Sequence, residues 1–283
     1  MLWKGRRRSA NVEDRRGIGG RGLAVGGGIG AVIVAAIILL LGGNPDDVLQ
    51  NVPVTGIESP LSSGTLSAED REMGDFVSVV LADTEDVWNA LFRQAGKTYR
   101  EPSLVLFTDQ TASTCGYASG ASGPFYCPAD EKVYIDLGFF RQLQSQLGAS
   151  GDFAMAYVIA HEVGHHVQNL LGIIDQVNSM KPQLGEREAN RLSICMELQA
   201  DFLAGVWAHH AQRLKGILEE GDVEEAVNAA AAVGDDRIQR MTRGAVVPDS
   251  FTHGTSEQRM NWFLKGYRSG DVGQGDTFNA EVL

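Results

Sequence analysis

Basic residues are scarce in most of this sequence. Of the 24 lysines and arginines in the 283 residues, seven lie before residue 22, which leaves 17 for the remainder. Only two of the 36 acidic residues lie in that first stretch, so the remainder holds 34 and has a formal charge of −17. An acidic body argues against nucleic acid as a partner. The hydrophobic content of 43% and the charged content of 21% exclude a disordered chain and are typical of a globular protein with one sizeable core.

Cysteine is also scarce, with three residues in the whole chain. Cys115 and Cys127 lie twelve positions apart in a stretch, residues 111–129, that glycine and proline punctuate. Outside the cytoplasm such a pair favours a disulfide over a metal site, and two reduced thiols are the alternative. Cys195 is left over, and we interpret it as a buried, unreactive thiol.

One long hydrophobic run lies near the amino terminus. The 19 residues from Leu23 to Leu41 carry no charge, and as a helix they would span about 28 Å. They predict a single transmembrane anchor, with a cleaved signal peptide or a buried soluble helix as the alternatives. The long arm before the run and the lack of an A-x-A-like site after it favour the anchor.

The arginines before this run set the predicted orientation. Under the positive-inside rule, residues 1–22 form a basic cytoplasmic arm. Residues 42–65, rich in glycine, proline and serine, are predicted to be a linker. Residues 66–283 would then form a domain on the outer side of a bacterial inner membrane, in the periplasm or the extracellular space.

An H-E-x-x-H run begins at His161, within a predicted helix over about residues 152–171. Four helical residues make close to one turn, so His161 and His165 share a face and can bind one metal ion. Glu162 lies beside that face and could reach a water on the metal. The alternative is a buried helix with two incidental histidines.

A second motif, Glu197-Leu198-Gln199-Ala200-Asp201, follows in another predicted helix. Glutamate is a common third ligand of zinc, so we predict Glu197 as that ligand. Asp201 lies one turn later and could accept the other ring N–H of a ligating histidine. An ordinary polar helix face is the alternative for this motif alone. Together the two motifs predict a Zn²⁺ site.

The residues that flank these motifs are more specific to one family than the spacing of the candidate ligands is. The chain resembles the gluzincins, and more closely the bacterial putative neutral zinc metallopeptidases of the YpfJ type, over nearly its whole length. The stretches that carry the resemblance are Gly123-Pro124-Phe125-Tyr126-Cys127-Pro128, Val133-Tyr134-Ile135-Asp136-Leu137, Tyr157 to Gln168, and His253-Gly254-Thr255-Ser256-Glu257-Gln258-Arg259. The resemblance implies a zincin-like metallopeptidase domain that hydrolyses peptide bonds.

The spacing of apolar residues and the positions of glycine and proline predict an α+β, mainly helical fold with a small sheet. Ser67 and Asp70 are typical of a helix start, and residues 103–108 and 132–137 are predicted strands. The resemblance implies that the second strand is an edge strand that pairs with substrate, through Tyr134 and Ile135. Residues 111–129 and 173–185 are predicted loops, and the alanine-rich residues 222–239 are a predicted packing helix.

Two further positions bear on the site. Thr252-His253 with Arg259 is similar to an arrangement in membrane metallopeptidases of the HtpX and CAAX-protease type, which implies that His253 stabilises an oxyanion. Packing at a helix start is the alternative. Members of the resembled family tend to carry cysteines where this chain has Phe202 and Gly275.

The sequence therefore predicts a membrane-anchored zinc peptidase. His161, His165 and Glu197 would bind zinc, Glu162 would be the general base, and Asp201 would orient a ligand. A tethered scaffold protein with a structural zinc and a zinc amidase are the alternatives. The expected partners are a peptide or protein substrate and the membrane.

Overall fold

The computed structural model describes residues 1–16, 66–119, 123–281 and 283. The predicted transmembrane anchor over residues 23–41 and the predicted linker over residues 42–65 lie outside these residues. Within the described ranges, no helix combines the length and the apolar character that crossing a bilayer requires.

A four-stranded sheet forms one side of the core, in the order β1-β2-β6-β5. Its strands are β1 (Val12–Asp14), β2 (Ser103–Phe107), β5 (Phe125–Cys127) and β6 (Lys132–Asp136). The first three strands of that order run parallel, and β5 pairs antiparallel to β6. The strands β2 and β6 confirm the two predicted from sequence. Both strands are buried at every residue after the first, which fits a parallel sheet that is covered on both faces.

The predicted loop over residues 111–129 is largely strand. It contains the hairpin of β3 (Gln110–Ser113) and β4 (Gly116–Ser119), followed by β5. Four-residue and three-residue strands carry too little periodicity to stand out among glycines and prolines. The prediction of a loop was therefore wrong for these segments.

Eight α-helices account for most of the described residues and confirm the mainly helical fold. They are α1 (Ala68–Gln94), α2 (Leu137–Ser145), α3 (Asp152–Leu170), α4 (Ile173–Met180), α5 (Glu186–Lys215), α6 (Asp222–Ala232), α7 (Asp235–Arg243) and α8 (Ser256–Ser269). Ser67 caps α1 as predicted, because its Oγ accepts the Asp70 amide at 3.0 Å. The predicted loop over residues 173–185 instead begins with α4.

The two motif helices approach each other closely. At Gly164 of α3, an added Cβ would lie 3.0 Å from the backbone oxygen of Ala200 in α5. At Gly266 of α8, a Cβ would lie 2.0 Å from the backbone oxygen of Phe202. These glycines let α5 lie against α3 on one side and α8 on the other, which positions the motif residues.

The amino-terminal residues differ from the predicted separate arm. Met1–Arg15 belongs to the same compact unit as Ser67–Leu283. Its strand β1 pairs with β2 in a register that matches Val12 to Leu104. Met1 is only 6% exposed. The first fifteen residues are therefore part of the folded domain rather than an arm outside it.

Candidate metal centre

The three predicted ligands meet between α3 and α5. The Nε2 atom of His161 lies 3.2 Å from Oε2 of Glu197, and Nε2 of His165 lies 3.4 Å from Oε1. One ligand atom from each residue lies within 4.8 Å of the others. Two neutral imidazole nitrogens and one carboxylate are the donor set of a catalytic zinc site. The residues therefore fit a zinc ion, with room for a further ligand on the open side.

Each histidine is held through its other ring nitrogen. Nδ1 of His161 lies 2.8 Å from Oδ1 of Asp201, and Nδ1 of His165 lies 2.8 Å from Oε1 of Gln168. The Gln168 amide nitrogen donates to the Met196 carbonyl at 2.7 Å, which fixes its oxygen towards His165. Both rings therefore present Nε2 to the metal position, as outer hydrogen bonds usually arrange.

The electrostatics couple the imidazoles to the carboxylates. Burial lowers the pKa of His161, but Asp201 and Glu197 outweigh it and raise that pKa to about 10 in the metal-free chain. Burial raises the pKa of Glu197, but His165 and His161 hold it well below its ordinary value. A metal ion would replace the proton on His161 as the counter-charge to these acids.

A buried arginine supports the aspartate. Nε of Arg259 lies 2.8 Å from Oδ2 of Asp201, and the Tyr157 hydroxyl donates to Oδ1 at 2.5 Å. Asp201 is fully buried and Arg259 is 4% exposed. The carboxylate thus stays ionised and correctly turned towards His161, through residues on α3, α5 and α8.

Glu162 lines a cleft beside the ligands. It is 7% exposed. Burial raises its pKa, and the charges of His161 and His165 oppose that shift. A carboxylate with a raised pKa next to a metal position is suited to accept a proton near neutral pH.

His253, for which the resemblance implies an oxyanion role, lines the same cleft. Its Nδ1 lies 3.2 Å from Oδ1 of Asp235, while the other Asp235 oxygen accepts the backbone amides of Thr252 and His253 at 2.7 and 2.6 Å. The hydrogen bond to Asp235 raises the pKa of His253 above its ordinary value. The His253 side chain is 52% exposed.

The predicted substrate strand is wrong. Strand β6 is flanked by β2 and β5, so Tyr134 and Ile135 lie inside the sheet at 1% and 0% exposure. Phe125 of β5 stacks on Tyr134 with ring centroids 4.9 Å apart. Among the described strands of this sheet, β5 is the edge beside the cleft.

The cleft has a volume of about 560 Å³ and mostly apolar walls. The ligands and Glu162 form its floor. Its apolar lining comes from β5, from α2 to α5 and from α7, and includes Phe125, Phe139, Val158, Ile174, Met196 and Ile238.

Comparisons with known proteins agree with this site. The family model described as "Putative neutral zinc metallopeptidase" matches residues 1–278. The chain belongs to this family. It is 48% identical to "Uncharacterized protein YpfJ" of Escherichia coli (strain K12) over 288 residues, which covers 100% of both chains. It is 41% identical to "Uncharacterized protein Rv2575" of Mycobacterium tuberculosis (strain ATCC 25618 / H37Rv) over 257 residues, or 87% and 86% of the two chains. No solved structure matches.

The cysteines of this family member follow the sequence prediction. Cys115 and Cys127 form a disulfide, which ties the end of β5 to the β3–β4 hairpin. Cys195 is free and buried. Phe202 and Gly275, the two positions where cysteines were expected, are neighbours. A Cβ on Gly275 would lie 2.6 Å from the Phe202 ring, so the ring fills the space that the glycine leaves.

Two residues of the candidate metal centre and its cleft escaped the sequence prediction. Gln168 lies three residues after His165 on the same helical face, and that spacing could have revealed it. Asp235 was assigned to one packing helix over residues 222–239. That helix breaks after Ala232, and Asp235 begins α7, which no local pattern connects with His253.

Proposed function

We propose that this protein is a zinc-dependent peptidase that hydrolyses peptide bonds in extended chains. The observation that carries the proposal is the convergence of His161, His165 and Glu197 beside Glu162, on the floor of a cleft. A structural zinc site usually has four protein ligands. Within the described residues the cluster offers three, and its fourth side opens to the cleft.

The division of work follows from the geometry. Zinc bound by the three ligands would supply Lewis acidity, which polarises the scissile carbonyl and acidifies a coordinated water. Glu162 takes the proton of the attacking water and passes it to the leaving amine. His253, held by Asp235, donates a hydrogen bond to the developing oxyanion.

Strand β5 supports a peptide substrate over a small amide. Its outer edge lies beside the ligands, so an extended backbone could pair with it as an additional strand. The apolar walls at Phe125, Val158 and Met196 favour substrates with hydrophobic side chains next to the cleaved bond. A zinc amidase would use the same attack but would not need that edge.

We also propose that the catalytic body lies outside the cytoplasm at the bacterial inner membrane, with residues 23–41 as the membrane contact. The Cys115–Cys127 disulfide supports the location, because such bonds persist in oxidising compartments. The charge-free length of residues 23–41 supports the membrane contact.

The test is digestion of a peptide library by the full-length, zinc-loaded protein, with Glu162→Gln and the exposed control Glu220→Gln beside it. Glu162→Gln should lower turnover by about 10²–10⁴-fold, because it removes a general base. It should keep its zinc, and the control should cleave like the wild type. Cleavage should concentrate beside hydrophobic residues. Undiminished turnover of Glu162→Gln, or no cleavage by the zinc-loaded wild type, would refute the proposal.

A further inference from the structure

The amino-terminal segment Met1–Arg15 is joined to the rest of the domain along its whole length. The Leu2 amide donates to the Ile217 carbonyl at 2.8 Å, and the Ser9 amide donates to the Ser78 carbonyl at 2.9 Å. Further along, β1 adds a parallel strand to β2, and the Arg15 amide donates to Leu106 at 2.8 Å. These contacts reach α1, the residues after α5, and the central sheet.

The basic side chains of this segment have acidic partners in the domain. Four of them meet carboxylates of α1. The pairs are Lys4 with Glu72 at 2.6 Å, Arg6 with Asp83 at 2.8 Å, Arg7 with Glu85 at 3.0 Å and with Asp86 at 2.7 Å, and Arg8 with Asp75 at 2.6 Å. Charge complementarity to one acidic helix therefore accounts for the cluster of arginines that the sequence presented as a topology signal.

One of these acids depends on the segment. Glu85 is 2% exposed. Its carboxylate accepts hydrogen bonds from the Arg7 guanidinium, from the Ser9 hydroxyl at 2.5 Å and from the Asn11 side-chain amide at 2.9 Å. All three donors lie in Met1–Arg15. The segment therefore both covers the Glu85 carboxylate and supplies the donors that a buried carboxylate requires.

The start of the segment is equally committed. The Met1 ammonium lies 2.6 Å from Asp152 and 3.3 Å from Asp222, at the beginnings of α3 and α6. The ring of Trp3 packs edge-on against Phe76 with centroids 5.5 Å apart. Apolar packing to α1, ion pairs to α3 and α6, and strand pairing to β2 all join this segment to the domain that holds the candidate metal centre.

We infer that Met1–Arg15 and Ser67–Leu283 fold in the same compartment, on one side of the membrane. A single crossing by residues 23–41 would separate the segment from Glu85 and from β2. The predicted arrangement, with the amino terminus inside and the body outside, is therefore replaced by one with both on the same side. This inference does not depend on peptidase activity.

The first test compares the accessibility of two introduced cysteines in full-length protein in Escherichia coli cells. Lys4→Cys reports on the segment, where the Lys4 side chain is 74% exposed. Met241→Cys reports on the body, where Met241 is 54% exposed. The wild type is the control, because its cysteines are bonded or buried. A membrane-impermeant maleimide is applied to intact cells, to cells with a permeabilised outer membrane, and to lysed cells.

The inference expects both cysteines to react at the same stage. If one reacts before lysis and the other only after it, the inference is overturned. If both react only after lysis, they still share a compartment, and it is the extracytoplasmic location proposed above that fails.

The second test probes docking in purified full-length protein by zero-length carbodiimide coupling. The Lys4 ammonium and the Glu72 carboxylate are in contact, so mass spectrometry should find an amide bond joining their peptides. Glu72→Gln is the matched control and should lose that cross-link. A wild-type protein without the Lys4–Glu72 product would show that the segment is not docked, and would refute the inference.

Discussion

Two clusters of potential metal ligands in this protein have similar geometry and different counter-charges. In each, three ligand atoms lie within 4.8 Å of one another. His161, His165 and Glu197 combine two imidazoles with one carboxylate. Asp152, Asp222 and Glu225 are all acids, and the Met1 ammonium lies against the first two. The comparison teaches that proximity of ligands does not define a metal site, because the group that balances the charge must also be identified.

The two clusters differ in what surrounds them. Around the metal centre, Asp201 and Gln168 orient the imidazoles, and the open side faces a cleft. Around the second cluster, a side chain of the same set caps a helix: Glu225 accepts the Phe153 amide at the start of α3 at 3.0 Å. The first arrangement leaves a position for substrate, whereas the second joins chain segments.

The largest expected difference between the clusters is in zinc binding. Glu197→Ala should remove zinc from the purified protein. Its zinc affinity should fall by more than the roughly 10–100-fold that is typical of losing a residue that hydrogen-bonds a ligand. Asp222→Ala should retain the wild-type zinc content, because its partner is the Met1 ammonium. Metal analysis by mass spectrometry measures both. Zinc loss in Asp222→Ala with retention in Glu197→Ala would reverse the assignment of the two clusters.

The next effect concerns the support of one ligand. Asp201→Asn should weaken zinc binding by about 10–100-fold, because a neutral amide orients and polarises His161 less well. Competition with a zinc chelator measures the affinity. Since Arg259 also loses a charged partner, the unfolding of the metal-free variant is measured in parallel. Unchanged zinc affinity in a folded variant would show that Asp201 serves stability alone.

A third effect belongs to the amino-terminal side. Ser9→Ala should lower the free energy of unfolding by about 1–3 kcal/mol, because it removes a donor from the buried Glu85 carboxylate. Lys4→Met is the control and should cost no more than about 1 kcal/mol, since the Lys4–Glu72 pair is exposed. Urea denaturation measures both, and zinc affinity should be unchanged in both. Equal stabilities of the two variants would contradict this distinction.

The smallest expected effect is that zinc binding and the docking of the amino-terminal segment respond in opposite directions to a rise in pH. The pKa of His161 is about 10 in the metal-free chain, so zinc binding releases a proton and should strengthen as the pH rises towards that value. Burial lowers the pKa of the Met1 ammonium, but Asp152 outweighs it and raises that pKa above its ordinary value of 8.0. Its stabilising effect is therefore complete below pH 8.0 and is lost as the pH rises through the folded-state pKa.

Titration calorimetry in buffers of different ionisation enthalpy measures the released proton. Hydrogen exchange at the Leu2 amide follows the docking of the segment. A zinc affinity that falls between pH 7 and 9, or a segment that docks more firmly there, would contradict the respective half of the prediction.

The same contrast shows how far the sequence could be interpreted. Helix geometry alone places His161 above His165, so local spacing predicted their shared face. Zinc chemistry then predicted Glu197 as the third ligand, and the structure brings it to those rings. The pairing of the amino-terminal arginines with α1 was not predicted, because Glu85 lies 78 residues from Arg7 and no local pattern connects them.

The error at β6 has a similar cause. The segment Lys132–Asp136 alternates like a half-buried strand, and the resemblance implied that it is an edge strand, but its neighbours in the sheet are β2 and β5, which come from other parts of the chain. Pairing order is a property of the whole sheet, so Tyr134 and Ile135 were assigned to the wrong position. The helix break at Gly234 was missed because the alanine-rich run before it masks the change.

The Cys115–Cys127 bond ties β5, the strand that borders the cleft, to the β3–β4 hairpin. Neither cysteine belongs to the cluster of proposed zinc ligands. Thiol reductants in an assay buffer would therefore act on the rim of the cleft as well as competing for metal. A preparation treated with thiol reductant would then bind an extended peptide less tightly even at full zinc content. Measurements of turnover should accordingly be compared between oxidised and reduced samples of equal metal content.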